Sequence, residues 1–322
     1  MIGKLRQAWT DYWFEPAPLV NLAVCRIVVA GFQLLWLATR TDYARLAQEA
    51  SYPDFLYDPL PVLHLLVWPV GWTYRPGLEV LEAAFTVALI SGALAVIGLF
   101  TRASLALFTL ASVFLHAYAY SFGDFHHPEG VIVISLALLT LAPSGEVLSL
   151  DRRLGRWFGG DGGTGSAADG RELLSATSEY ARWPLRVIAW LMALVYLSAA
   201  ASKIHPAGLE WMNGTTLQYY LIQDGLRWDS ALGIWFGEQH GLSTALSWLT
   251  VLFEGTFVLV LVAPALALIY VPLGAALHLG IYVTMKAPFF GWVALYCVFV
   301  PWRDVGRWLR ERLARGPSSV RG

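Results

Sequence analysis

Residues 190–206, WLMALVYLSAAASKIHP, decide how this chain is read. From Trp190 to Ala201 there is no charged side chain, and then the polar stretch Ser202-Lys203-Ile204-His205-Pro206 begins. Extended back to Pro184, the run approaches the roughly 20 residues that a helix needs to cross the hydrocarbon core of a bilayer. The lysine at its end is conspicuous, because the chain holds 19 arginines and only three lysines, Lys4, Lys203 and Lys286. A lysine near a helix end commonly snorkels to the membrane interface. An arginine would serve that purpose as well. What an ammonium can do and a guanidinium cannot is lose its proton and act as a base.

The pattern recurs along the chain. Of 322 residues, 57% are hydrophobic and 14% charged, with a mean hydropathy of +0.55. Such a composition points to an integral membrane protein. A net charge of −1 gives no sign of nucleic-acid binding. Cys25 and Cys297 both lie in apolar runs and define neither a disulfide framework nor a metal site. The first residues, with Lys4, Arg6, Asp11 and Glu15, read as the lead-in to a retained first helix rather than a cleaved signal. Apolar segments predict an all-α polytopic bundle of about eight transmembrane helices: 19–38, 78–99, 103–120, 131–142, 184–201, 245–262, 265–284 and 289–301. Residues 39–76 and 203–243 read as long polar loops, the first with an interfacial segment near Val62–Trp68. The glycine-rich stretch at 152–180 predicts a flexible cytoplasmic linker, and 303–322 a basic cytoplasmic tail. No second domain is predicted, so residues 1–322 read as one transmembrane domain.

Positive charge predicts the orientation. With both termini cytoplasmic, the inner side carries Lys4, Arg6, Arg102, Arg152, Arg153, Arg156, Arg171, Arg182, Arg186 and the six arginines from Arg303 onward, 15 in all. The outer side carries six: Arg40, Arg45, Arg75, Lys203, Arg227 and Lys286. His64, His126, His127, His205 and His240 then fall on outer loops, with His116 and His278 inside predicted helices. The expected location is a cell (inner) membrane, with lipid as the surrounding partner.

Ionisable groups inside apolar runs are the sharper signal, because a charge in hydrocarbon costs several kcal/mol. Arg26 and Glu254 are natural partners for a buried structural pair that locks two helices together. His278 has no polar neighbour in sequence and reads either as a helix–helix hydrogen bond or as part of a site. The segment Asp124-Phe125-His126-His127-Pro128-Glu129 invites a metal reading, but adjacent histidines do not match zinc-ligand spacing, and no metal is expected. An acid–base or hydrogen-bonding role for His126 or His127 is the expectation. Nucleotide-binding glycine loops, nucleophile elbows and thiol motifs are absent.

Three pieces of the sequence carry a resemblance: Ala23-Val24-Cys25-Arg26-Ile27, Ser149-Leu150-Asp151, and Lys203 followed by Trp211-Met212-Asn213-Gly214-Thr215. From about Tyr12 to Arg310 the chain resembles the HTTM family, the horizontally transferred transmembrane domain proteins. These are homologous to the membrane part of vitamin K-dependent gamma-glutamyl carboxylase. The resemblance implies that Lys203 is the base that deprotonates a reduced vitamin K or menaquinol-type hydroquinone. Oxygen then converts the quinol to an epoxide, and the strong base so formed removes a glutamate γ-proton before CO₂ adds. It also implies that His127, with His126 as its one-residue alternative, and His278 are catalytic, with Trp211, Gly214, His126 and His116 expected around substrate or cofactor. Two departures stand against full transfer. The spacing from Lys203 to Trp211 is longer than in the animal enzyme. The chain also ends after the basic tail, where the carboxylases continue in a large lumenal substrate-docking domain. Two further readings therefore remain open: a non-catalytic maturation or scaffold partner for an exported peptide or protein, and a DoxX-like quinone-associated membrane protein.

Overall fold

The computed structural model describes residues 2–71, 74–123, 128–158, 172–205 and 208–315. The protein is an all-α polytopic membrane protein; the strand residues described are Ala17–Pro18, which pair antiparallel with Thr177–Ser178. In chain order the helices are α1 (Ile2–Phe14), α2 (Leu19–Arg40), α3 (Tyr43–Ala50), α4 (Pro61–Val67), α5 (Leu78–Ile97), α6 (Thr101–Tyr120), α7 (Pro128–Leu141) and α8 (Leu150–Phe158). They continue as α9 (Arg182–Ile204), α10 (Thr215–Arg227), α11 (Ala231–Glu238), α12 (His240–Thr256), α13 (Ala267–Met285), α14 (Phe290–Leu295) and α15 (Trp302–Arg315). Among the described residues six stretches are long and apolar enough to cross a membrane: α2, α5, α6, α9, His240–Leu261 and Pro264–Met285. Two shorter apolar helices, Glu129–Leu141 and Phe290–Phe299, fall where the remaining two spans are predicted.

The chain forms two compact units. The first comprises Met1–Arg186 with Val300–Gly322, the second Val187–Phe299. In the first, α2, α5, α6 and α7 enclose a core in which Leu22, Ala23, Val29, Ala88, Leu105, Phe108, Leu136 and Leu139 are fully buried. The α5–α6 connection is tight because Gly98 ends α5 in a left-handed conformation at φ 72°, a geometry that costs glycine little and other residues more.

The second unit corrects the predicted 203–243 loop. Most of that stretch is helical, as α10 and α11. Both helices are shorter than a membrane span, which is why hydropathy passes over them. Glycines permit their close packing: a Cβ on Gly237 would strike Ile222, and one on Gly233 would strike the Thr284 carbonyl of α13. The predicted 152–180 linker is also corrected at its edges. Leu150–Phe158 is helical and Thr177–Ser178 joins the short ladder, while 159–171 lies outside the described residues. The basic tail begins as the helix α15, and the predicted span at 289–301 is α14 followed by a tighter turn, Tyr296–Phe299.

Candidate functional site

Lys203 lies in the last turn of α9. Its Nζ donates to both carboxylate oxygens of Glu254 on α12, at 2.9 and 2.7 Å, and to the Ala199 carbonyl one turn back at 3.4 Å. The C-terminal end of a helix carries partial negative charge, so a cation is favoured there. Glu254 reaches it because the buried residues of α12, Ser243, Ser247, Val251 and Glu254, form one stripe at helical spacing. The Lys203 ammonium also stands over the Trp211 ring, 5.5 Å from its centroid. Only 22% of the lysine side chain and 10% of the glutamate remain exposed.

Two turns earlier on the same face of α9, about 10 Å along its axis, is Tyr196. Its hydroxyl is 2.8 Å from His278 Nε2 on α13 and 2.6 Å from the Tyr296 hydroxyl. All three residues are buried, walled by Phe253, Phe257 and Trp292. Gly274, one turn before His278, leaves the space that the Tyr296 hydroxyl fills, and a Cβ there would collide with it. Phenol and imidazole groups both donate and accept hydrogen bonds, so the direction of the Tyr296–Tyr196–His278 chain is set by which ring nitrogen of His278 carries the proton. His278 Nδ1 is buried with no hydrogen-bond partner.

Arg26 belongs to a different arrangement, in the first unit. Fully buried on α2, it donates from Nη1 to the carbonyls of Ala95 at 2.7 Å and Val96 at 3.4 Å, and from Nη2 to Leu148 at 2.6 Å. Ala95 and Val96 close α5, where helix carbonyls have no internal donor. The predicted Arg26–Glu254 pair is therefore corrected: Arg26 takes main-chain carbonyls, and Glu254 takes Lys203. A guanidinium with five donors in a fixed fork suits several carbonyls from separate segments. Beside it, Asp151 accepts hydrogen bonds from the Phe100 and Thr101 N–H groups and the Thr101 hydroxyl, each at 2.7 Å, and so caps α6. Burial pushes the Asp151 carboxyl upward, but the Thr101 and Phe100 hydrogen bonds and the Arg26 charge outweigh it and hold the group below the usual carboxylate range.

His116 also sits in the first unit, with its Nε2 2.8 Å from Gln33 Nε2 and its ring stacked on Tyr120. Tyr120 in turn donates to Glu129. Gly214 has a backbone role. Its φ is 90°, it links the turn Glu210–Asn213 to α10, and a Cβ would meet the Thr244 main chain. His126 and His127 lie outside the described residues. Lys203, Trp211 and His278 are thus in one unit, but Lys203 pairs with Glu254 on α12, whereas His278 bonds to Tyr196, two turns before Lys203 on α9. Sequence reading did not single out Tyr196 or Tyr296. The signal for Tyr196 was its position seven residues before Lys203, which is the same helix face. Neither a family model, a curated protein nor a solved structure matches this chain.

Proposed function

We propose that the chain is an HTTM-type membrane enzyme, a vitamin K-dependent gamma-carboxylase-like protein. In this reading it uses a reduced quinone with oxygen and CO₂ to modify an exported peptide or protein at the outer face of the cell (inner) membrane, with both termini cytoplasmic. The observation that carries it is the hydrogen-bonded Lys203–Glu254 pair, set on the same helix face as the buried Tyr196–His278–Tyr296 chain. An ammonium and a carboxylate between which a proton can pass are adjacent, and a second set of proton-carrying groups lies two turns away.

The residues of this unit suit an aromatic ligand bearing ring oxygens. His278 Nδ1 is a buried polar atom without a partner, and the flat faces of Phe289 and Trp292 lie beside that imidazole at centroid distances of 5.7 and 6.1 Å. When bound, a reduced quinone supplies two electrons and an acidic ring hydroxyl. Lys203 takes up a proton from a hydroxyl only when its own ammonium has first passed one to Glu254, so the pair acts as one acid–base unit. General acid–base catalysis of this kind contributes about 10²–10⁴-fold.

A second reading, a non-catalytic maturation partner, is favoured by the same bidentate contact, because it fastens α9 to α12. Lys203→Arg separates the two. Arginine keeps the charge and can hold Glu254, but it cannot give up its proton. The enzyme reading expects normal insertion and loss of quinol-dependent turnover in detergent-purified protein. Full turnover in Lys203→Arg would remove Lys203 as the base, and a wild type with no quinol-dependent turnover and no quinone detected by mass spectrometry would leave the partner reading. Reporter fusions near Gly163 and at the C-terminus are expected to report the cytoplasm at both positions.

A further inference from the structure

We propose that α1, α8 and α15 form a basic collar that seats the first unit on anionic phospholipid headgroups. The three helices gather at one end of that unit. Glu15 at the end of α1 pairs with Arg182 at the start of α9 at 2.5 Å. Asp151 in the first turn of α8 caps the start of α6, and Arg152 pairs with Glu172 at 2.7 Å. The Arg303 N–H at the start of α15 donates to Asn21 in the first turn of α2 at 3.0 Å. This is also the end where Arg26 binds the last carbonyls of α5. The spans α2, α5 and α6 set the depth of this end, so the collar lies where hydrocarbon gives way to headgroups.

Each helix presents apolar and cationic side chains together. On α1 these are Leu5 and Trp9 with Lys4 and Arg6, and on α8 Leu154 with Arg152 and Arg153. In α15, Val305, Trp308, Leu309 and Leu313 follow the i, i+3, i+4, i+8 spacing of a single face. Trp308, Leu309 and Leu313 are 49%, 47% and 82% exposed. Arg303, Arg307 and Arg310 fall on the other arc, and Arg312 lies over the Trp308 ring at 4.6 Å. Five arginines against two carboxylates give α15 a net positive charge. Apolar residues entering the acyl boundary beside arginines that fork onto phosphate is the chemistry of a helix lying in an anionic interface. Net charge selects anionic over zwitterionic phospholipid.

The test uses the full chain in vesicles of phosphatidylglycerol and phosphatidylcholine in equal parts, with retained lipid counted by native mass spectrometry. The wild type is expected to keep phosphatidylglycerol over phosphatidylcholine by about tenfold or more. The triple variant Arg307→Gln, Arg310→Gln, Arg312→Gln is expected to lose that preference at an unchanged melting temperature in phosphatidylcholine. Trp308→Ser with Leu313→Ser keeps the charge, and there amide exchange in 302–315 is expected to rise in phosphatidylglycerol nanodiscs. No preference in the wild type, or an undiminished one in the triple variant, overturns the proposal. So does a lipid-independent dimer that the triple variant dissociates, because the face would then cover a second copy. None of these outcomes depends on Lys203 chemistry.

Discussion

Each unit of the molecule encloses a cation, and the two are held in opposite ways. Arg26 has no exposure at all, and its hydrogen bonds end on the carbonyls of Ala95, Val96 and Leu148. Lys203 sits at a helix end with part of its surface open, and its main partner is a carboxylate. Main-chain carbonyls cannot take a proton, so the Arg26 arrangement can only fasten. A carboxylate can, so the Lys203 arrangement has two protonation states available. The choice of residue follows the same division: the fork is used where several acceptors must be tied together, and the ammonium where a proton can move.

Reciprocal substitution tests this division most severely. Lys203→Arg is expected to lower quinol-dependent turnover by about 100-fold or more while leaving thermal stability close to wild type. Arg26→Lys is expected to do the reverse. An ammonium has three donors and no planar fork, so carbonyls at α5 and Leu148 are left unsatisfied at about 1–3 kcal/mol each, and the melting temperature falls with turnover per folded molecule retained. If both substitutions impair the same property, the two cations do not have separate roles.

Glu254→Leu carries the next largest effect. Removing one partner of a buried ion pair costs about 3–5 kcal/mol, and the residual exposure of Lys203 places the expectation at the lower end, about 3 kcal/mol. The double variant Lys203→Met, Glu254→Leu should recover most of that loss, because no unpaired charge remains, yet stay inactive. Denaturation in detergent measures the cycle. Additive losses would mean that the 2.7 Å contact contributes little.

Much of this architecture was legible in sequence, for a physical reason. Crossing hydrocarbon demands an apolar run of fixed length, and each of the six long spans begins and ends close to where the run does. The short helices α10 and α11 were not legible, because they are too short to show a membrane pattern and depend on close contacts at Gly233 and Gly237. Of the site, the buried ionisable residues could be picked out but their partners could not. Arg26 and Glu254 each called for compensation, and opposite charge suggested each other. What hydropathy does not encode is that the end of α5 offers free carbonyls to Arg26, or that the stripe on α12 aims Glu254 at Lys203. Tyr196 stayed hidden because a tyrosine within an apolar run reads as packing, and only its spacing to Lys203 marked its face.

Tyr196→Phe comes next in size. It leaves the aromatic packing intact but removes the hydroxyl shared by His278 and Tyr296, and an unsatisfied buried partner costs about 1–3 kcal/mol. A lower melting temperature is expected, with turnover reduced less than by Lys203→Arg. Gly274→Ala should mimic it by displacing the Tyr296 hydroxyl. If Tyr196→Phe is as stable as wild type, the 2.6 and 2.8 Å hydrogen bonds contribute nothing measurable.

The smallest expected effect lies in the first unit, at Asp151. Losing an N-cap side chain costs about 1 kcal/mol, so Asp151→Ala should lower stability slightly and leave turnover unchanged, as a purely structural neighbour of Arg26 requires. The effect also has a defined pH dependence. Although burial raises it, the Asp151 carboxyl is held below its ordinary value by Thr101, Phe100 and Arg26. A carboxylate depressed on folding contributes fully above its unfolded pKa of about 3.9, and the contribution fades as pH falls through the lower folded value. The stability difference between wild type and Asp151→Ala should therefore be flat from neutral pH down to about pH 5 and shrink below about pH 4. A difference that persists undiminished at pH 3, or one that grows on acidification, would show that the cap acts through its shape and not its charge.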